Sequence, residues 1–592
     1  MHGWAPFPRE FPVTDPAAVR AALARILASE RFQNCEALAR LLGLAVERSL
    51  AGRRFKVKAA QAVQLRARLS AYYAGEGMRD PVRIGLPEDG SPAVFSTAAP
   101  PGPPPARRPW VWLAAALVAA VPVSWAGAKW HARVVSAQIR SLVVLPFADL
   151  TPQDNGQWLA ASFTGETIDA LDRVTGLRVV GRTSAFKAKG DAGRELDVAA
   201  VLQGAVRQTG ERLRISLEMV RTSDGYHLWS ASFDRPAQDL RSAQQAISSA
   251  VAARLNVRLP AARTGRHQPP APAYDAYLQG RYFFDQGTPD ALNNAAGRLE
   301  EATRIDPDFA RAWAWLSIVR EYRVAAGLAR PNQAMPYSRD AAERAVALAP
   351  DLGDAHLALG IVNLQYDWDW AAAKAELDHA LAASPGSAFA LAWHARWSET
   401  QGRLNEAIAE TARALAIDPL SGAILGDAAA QYAALNQPGR ALPFAQKAVD
   451  LYPDDPVARA ALANILLLAG QKEDARQMAE ELRNSDAAAK LPPSMPASLA
   501  AQMGEPEDAR QLLDEAEDLP DEELLPAIDY AELAGAIQDW DRLFSWTEEA
   551  YGERDVELPY WRLSPLMPHS DPRFDAFLGE MNLPAPSAVS RN

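Results

Sequence analysis

Nineteen consecutive positions, Trp110 to Ala128 (WVWLAAALVAAVPVSWAGA), carry no charge, and on either side of them the apolar residues fall into shorter rhythms. As a helix this run would measure roughly 28 Å, close to the ~30 Å hydrocarbon core of a bilayer. Arg107 and Arg108 precede it, and Lys129, His131 and Arg133 follow. Trp110, Trp112, Trp125 and Trp130 sit near its ends, where amphipathic rings favour the headgroup level. Ser124 is its one hydroxyl-bearing residue, whereas a helix of a water-facing domain normally keeps a polar stripe. The pattern predicts a transmembrane helix over 110–130.

Before the run, residues 1–95 read as helices and then a hairpin. Leu23, Ile26 and Leu27 share one helical face, and Leu38, Leu41, Leu42, Ala45 and Val46 make another. A third helix is expected over Val57–Tyr73, stopped by Gly75 and Gly77. Val82–Ile84 and Ala93–Phe95 flank the turn Pro87-Glu88-Asp89-Gly90. Residues 96–109 are a proline-rich tether.

After the run, Ser141–Phe147 is nearly all apolar, as in a strand covered on both faces. A helix over Asn155–Val174, a strand at Leu177–Val180, three β-rich runs (Ala200–Arg207, Arg212–Val220, His227–Phe233) and a helix over Asp239–Asn256 follow. This predicts an α+β domain, a sandwich, over 137–258. Residues 259–272 are a linker whose prolines argue for a hinge.

The stretch 273–583 is periodic. Pro307, Pro350, Pro385, Pro419 and Pro453 are spaced 43, 35, 34 and 34 apart. Five positions before each stands Ala302, Ala345, Ala380, Ala414 or Ala448; twelve before stand Ala295, Ser338, Ala373, Ala407 and Ala441. A 34-residue period with two small residues and a closing proline is the signature of tetratricopeptide helical hairpins. Larger side chains at those sites would push the helices apart, and proline cannot continue the second helix. Gly402 and Gly470 mark turns between paired helices. Seven or eight hairpins are expected. The surplus residues at Ala325–Gln333 should enlarge one loop, a break should fall at Leu491–Pro496, and the tail from Tyr560 should cap the last hairpin.

Charge sharpens this division. The net charge is −12, yet residues 1–95 hold fourteen Lys/Arg against nine Asp/Glu, leaving about −17 on the rest. A basic head and an acidic body suit different surroundings, and acidity disfavours nucleic acid as a partner of the repeats. The single cysteine, Cys35, excludes an intrachain disulfide and a cysteine-built metal site. Met1–Pro16 lacks the apolar run of a signal peptide, so the span is expected to be an uncleaved anchor in the inner membrane, N-terminus cytoplasmic and the rest periplasmic.

Several phrases resemble known families. ILASERFQNCEALARLLGLAVERSLAGR and LRARLSAYYAGEGMRDPVRIGLP resemble the N-terminal module of bacterial membrane proteins with a TolB-like domain and tetratricopeptide repeats, and loosely the end of OmpR-type winged helices. The winged-helix likeness implies that Gln61, Gln64, Arg66 and Arg68 contact DNA. About 25 residues usual before the Leu-Arg-x-Arg-Leu helix are missing here, and Pro-Glu-Asp-Gly replaces a more basic wing turn. VVLPFADLTP, GLRVVGRTSAFKAKG, ELDVAAVLQGAVRQTGERLRISLEMV and DGYHLWSASFDR resemble the TolB N-terminal domain, in order. That likeness implies binding or sensing. The whole layout resembles CadC-type membrane-integrated transcription activators.

Chemistry is sparse. Asp149, Asp154, Glu166 and Asp169 gather near one strand–helix junction without a histidine close in sequence, and Arg182 could hold an anion. No catalytic residue, cofactor or metal ligand is expected. A solenoid lines its groove with first helices, which here would present Arg311, Glu321, Tyr322, Gln365, Arg396, Glu399 and Asn464 to a protein or peptide. Two readings stand: a signalling protein, as a monomer or a homodimer, relaying partner binding to a DNA-binding-like module, and an assembly platform without a DNA role. An adenylate-cyclase-associated regulator is the third, although no stretch has the metal-binding aspartates of a cyclase domain.

Overall fold

A computed structural model describes, toward the N-terminus, residues 11–12, 15–29, 36–51, 80–85 and 94–97 with single positions between, and beyond them 139–151, 157–259, 267–483, 491–516 and 525–584. The chain divides into two compact units, Met1–Val134 and Val135–Asn592.

In the first unit, β1 (Phe11–Pro12), β2 (Val82–Gly85) and β3 (Val94–Thr97) form an antiparallel sheet in the order β1-β3-β2. Helices α1 (Pro16–Ala28) and α2 (Glu36–Leu50) accompany it. Asp15 caps α1 by accepting from the Ala17 amide, and Pro16 occupies the first turn, where its missing N–H costs nothing. Val19, Ile26, Leu42, Val46, Leu65, Leu69 and Ile84 are buried together.

The second unit starts with a six-stranded sheet: β4 (Ser141–Val144), β5 (Ala148–Asp149), β6 (Arg178–Val179), β7 (Ala200–Thr209), β8 (Arg212–Arg221) and β9 (His227–Pro236). The order is β6-β4-β7-β8-β9, parallel through β4 and antiparallel beyond β7, with β5 beside β7. Leu142, Val143 and Val144 are all buried, as continuous apolar strands must be. Along β8 only alternate residues, Leu213 to Met219, face the core. Helices α3 (Gln157–Leu171), α4 (Arg182–Lys187), α5 (Ala192–Glu195) and α6 (Leu240–Leu255) complete an α+β layer built on a single sheet.

Eight helical hairpins follow among the described residues. They are α7 (Ala271–Phe284) with α8 (Pro289–Ile305), α9 (Ala310–Ala325) with α10 (Pro331–Leu348), and α11 (Gly353–Val362) with α12 (Trp370–Ala383). Next come α13 (Ala388–Thr400) with α14 (Leu404–Ile417), α15 (Gly422–Ala434) with α16 (Pro438–Leu451), and α17 (Pro456–Leu468) with α18 (Lys472–Arg483). The last are α19 (Ser494–Gln502) with α20 (Glu507–Ala516) and α21 (Ala527–Ala536) with α22 (Trp540–Glu553), then α23 (Leu558–Trp561) and α24 (Pro572–Glu580). The periodic small residues are where backbones meet: Ala295, Ala302, Ser338, Ala345, Ala373, Ala407, Ala414 and Ala441 are wholly buried. Gly402 and Gly470 take the left-handed φ of 69° and 75° that their inter-helix turns demand.

Four expectations change. The surplus residues of the second hairpin lengthen its helices to 16 and 18 residues instead of swelling the loop, because Pro331 starts α10 at once. The break at Leu491–Pro496 is partly helical, with Pro496 tolerated in the first turn of α19. The hinge at 259–272 does not separate one body from another, since the α+β layer and the repeats form one compact unit. The single-pass inner-membrane placement is also corrected: among the described residues no helix is long and apolar enough to cross a membrane. The longest, α10, carries Arg339, Asp340, Glu343 and Arg344 in its 18 residues, whereas a span needs about 20 mostly apolar ones. Residues 110–130, which carried that expectation, lie outside the described residues.

Candidate functional site

The α+β layer docks on the repeats through buried charge. Arg311 of α9 donates to both carboxylate oxygens of Glu166 on α3, at 2.8 and 3.3 Å, and to Asp354 at 3.2 Å. Arg281 of α7 donates to Asp169 at 3.1 Å and to the Tyr277 hydroxyl at 3.1 Å; that hydroxyl donates to Glu166 at 3.2 Å. Arg182 reaches Asp169 at 3.4 Å and Asp285 at 2.6 Å. Burial alone would raise the Asp169 carboxyl, but Arg182, Arg281 and Arg311 outweigh it and hold the group down at about 2. Thus Glu166, Asp169 and Arg182, unassigned chemistry in the sequence, are docking residues. Arg311, expected in the groove, joins them.

Two close approaches reinforce the contact. The Gly181 amide donates to the Ile417 carbonyl at 2.9 Å, and Ser184 donates to Asp418 through both its amide and its hydroxyl. The Gly386 amide donates to the Asp172 carbonyl at 3.0 Å, and a Cβ on Gly386 would stand 2.6 Å from that oxygen. Beside the junction lies a pocket of about 400 Å³ between α3, α6 and the first hairpins, with Arg173, Arg241, Gln244, Ser248 and Tyr274 among its lining.

The expected groove residues Glu321, Tyr322, Arg396 and Glu399 do converge, but beneath the chain's own C-terminal segment. Arg562 donates to the Thr400 carbonyl at 3.0 Å, Trp370 donates to the Met581 carbonyl at 2.9 Å, and Arg554 stacks 4.3 Å from the Trp368 ring. The tail therefore reaches back across the first helices of earlier hairpins instead of only capping the last one. Glu321 is 2% exposed, and its Oε2 has no hydrogen-bond partner. Arg396 bridges Asp427 at 3.0 Å and lies 4.9 Å from the Trp393 ring. Burial, with Glu557 nearby, pushes Glu321 up to about 8; burial, with Asp427 nearby, does the same to Glu399. Gln431 donates to Glu399. Asp427, Gln431, Glu557 and Tyr560 escaped the sequence reading, two of them because the tail that carries them has no repeat period.

The remaining expected residues lie apart. Gln365 is buried in a π-helical turn (Asn363–Asp367) that extends α11, and Asn464 accepts from Gln502 at 3.3 Å. Gln61, Gln64 and Arg66 lie outside the described residues, while Arg68 is half-buried.

The repeat surface is open at the fifth and sixth hairpins. A pocket of about 520 Å³ between α16, α17 and α18 has an apolar floor of Leu442, Leu462, Leu466 and Met478, rimmed by Asp474, Gln477 and Glu481. Residues 432–491, which include it, match the tetratricopeptide repeat family model. Over this stretch the hairpins match tetratricopeptide repeats. Such repeats point to protein–protein interaction or a scaffold role.

Among curated proteins the chain is similar to "Putative adenylate cyclase 3" of Rhizobium meliloti (strain 1021), 32% identical over 189 residues. The match covers 30% of this chain, and the chain spans about a third of that relative's length. Among solved structures it is similar to the human IFIT1 dimer with PPP-AAAA, at TM-score 0.36 and 15% identity over 47% of this chain and 72% of that one. Pseudomonas aeruginosa pilF gives 0.27 and 20% over 43% and 96%. YrrB, a repeat protein with an unusual peptide-binding site, gives 0.22 and 21% over 31% and 90%. These likenesses concern the helical fold alone.

Proposed function

We propose that this chain is a non-catalytic scaffold that holds a protein partner on the open face of its fifth and sixth hairpins. The observation that carries the reading is the apolar pocket floored by Leu442, Leu462, Leu466 and Met478, while the expected groove is covered by the tail. Asp474 and Glu481 at the rim favour a segment that inserts apolar side chains between basic ones. The α+β layer, with its TolB-like phrases, is the binding or sensing module of the same scaffold. The stretch shared with the adenylate cyclase relative takes a binding role here, with no cyclase reaction. A peptide array probed with the full chain tests this. Leucine-and-lysine peptides should bind, and Leu466→Arg with Met478→Arg should weaken them at least tenfold. Equal binding by wild type and the double variant overturns the reading.

A regulatory role through DNA is favoured by one observation. Two helices and an antiparallel hairpin occupy a basic N-terminal unit. In this second reading Gln61, Gln64, Arg66 and Arg68 make the contacts. A gel shift of the full chain at stated salt should then be lost with Arg66→Ala plus Arg68→Ala. No retardation above background by the wild type refutes it.

A further inference from the structure

The third hairpin brings together His356 of α11 and Glu376 and His379 of α12, and their donor atoms all lie within 4.8 Å of one another. From this juxtaposition we propose a binding site for one divalent transition-metal ion of the zinc class. Glu376 and His379 stand three residues apart on α12, so both side chains leave the same helical face. His356 is brought over them by close helix packing. A Cβ on Gly353 would fall 2.9 Å from the Ala383 side chain, and one on Gly360 would fall 2.9 Å from Leu377. These glycines lie three before and four after His356, on its own face, and hold α11 and α12 at short range.

The donors are oriented as metal ligands are. His356 Nε2 lies 2.6 Å from the Pro350 carbonyl oxygen, which can only accept, so that nitrogen carries the proton. Nδ1 faces the Glu376 carboxylate, 2.5 Å away, so a metal ion would replace the hydrogen bridging these two atoms and draw them slightly apart. A backbone carbonyl that fixes the far nitrogen of the ring is the usual outer support of a metal-bound histidine. The His379 ring centre is 4.9 Å from that of His356. His379 is exposed, leaving the remaining coordination positions open to water or to a donor from a bound protein. Two imidazole nitrogens and one carboxylate oxygen suit zinc and its neighbours far better than magnesium or calcium, which favour oxygen alone. His394 provides an internal control: it too sits between carboxylates, Asp378 at 3.2 Å and Glu410 at 2.9 Å, but is not a member of the cluster.

Calorimetric titration of the chelator-stripped full chain with zinc chloride, repeated with cobalt chloride for its visible absorbance, tests the proposal. One ion per chain is expected. His379→Ala, on an exposed residue, should lower affinity at least tenfold with the metal-free melting temperature unchanged. Glu376→Gln should do likewise, whereas His394→Ala should leave binding as it was. Absence of saturable one-to-one binding overturns the site, as does binding that survives both His379→Ala and Glu376→Gln.

Discussion

The α+β layer and the C-terminal tail both bury charge against first helices of the repeats, with opposite balances. Under the α+β layer, Arg182, Arg281 and Arg311 face Glu166, Asp169, Asp285 and Asp354, and the Asp169 carboxyl is held down at about 2. Under the tail, Arg396 meets Asp427 among Glu321, Glu399 and Glu557, and burial lifts Glu321 and Glu399 to about 8. Burial is similar in the two places; the number of cations decides whether a carboxylate stays charged. The Asp169 carboxylate therefore stays charged at neutral pH, whereas burial favours the protonated form of Glu321 and Glu399.

The largest expected effect breaks the first junction. Arg311→Ala leaves Glu166 buried without its main partner and should cost about 3–5 kcal/mol, read from urea unfolding. Solvent exposure of the Arg311 side chain is only 14%, so water will not replace the lost pairing.

The second test titrates the tail junction. Folded Glu321 and Glu399 keep a proton that the unfolded chain releases above its ordinary value of 4.5. Their contribution is thus fully present below that value and fades as pH rises through about 8. The unfolding free energy from urea titration should fall between about pH 5 and 8, by up to about 1.4 kcal/mol per pH unit for each group, and level off above that. Glu321→Gln with Glu399→Gln should flatten the slope. Asp169 acts at the other end: its share is present above 3.8 and lost as pH falls toward about 2.

A smaller effect sharpens the contrast sterically. Gly386→Val would press on the Asp172 carbonyl and should destabilise by about 1–3 kcal/mol, seen as a lower melting temperature. The exposed pair Arg214–Asp234, 3.1 Å apart on the sheet, sets the baseline. Arg214→Ala should leave the melting temperature unchanged, because solvent screens such pairs.

Local features of this architecture could be read from the chain because their causes are local. Ala373 and Ala407 had to be small wherever helices repeat at 34-residue intervals, and Gly402 had to supply a left-handed turn. The alternation along Arg212–Arg221 likewise reported one buried face. The junctions could not be read this way. Glu166 and Arg311 are 145 residues apart, and nothing in either helix's period says that its charge will be covered. Glu321 and Glu399 lie on first helices of their hairpins, but their burial depends on a tail without periodicity. The grouping of His356 with Glu376 and His379 is equally non-local, since it needs two helices packed together.

Stacked repeats normally behave as a line of dominoes, each touching only its neighbours, and melt inward from the ends. Here Ser184 grips Asp418 at the fourth hairpin's exit, Lys187 stacks 4.1 Å from Tyr452, and the tail bonds back to Thr400 and Trp370. Both ends of the array are thereby fastened to its middle, like the two ends of a strap buckled over one pin. Fraying from either terminus must first undo contacts hundreds of residues away, so the eight hairpins should come apart in one step.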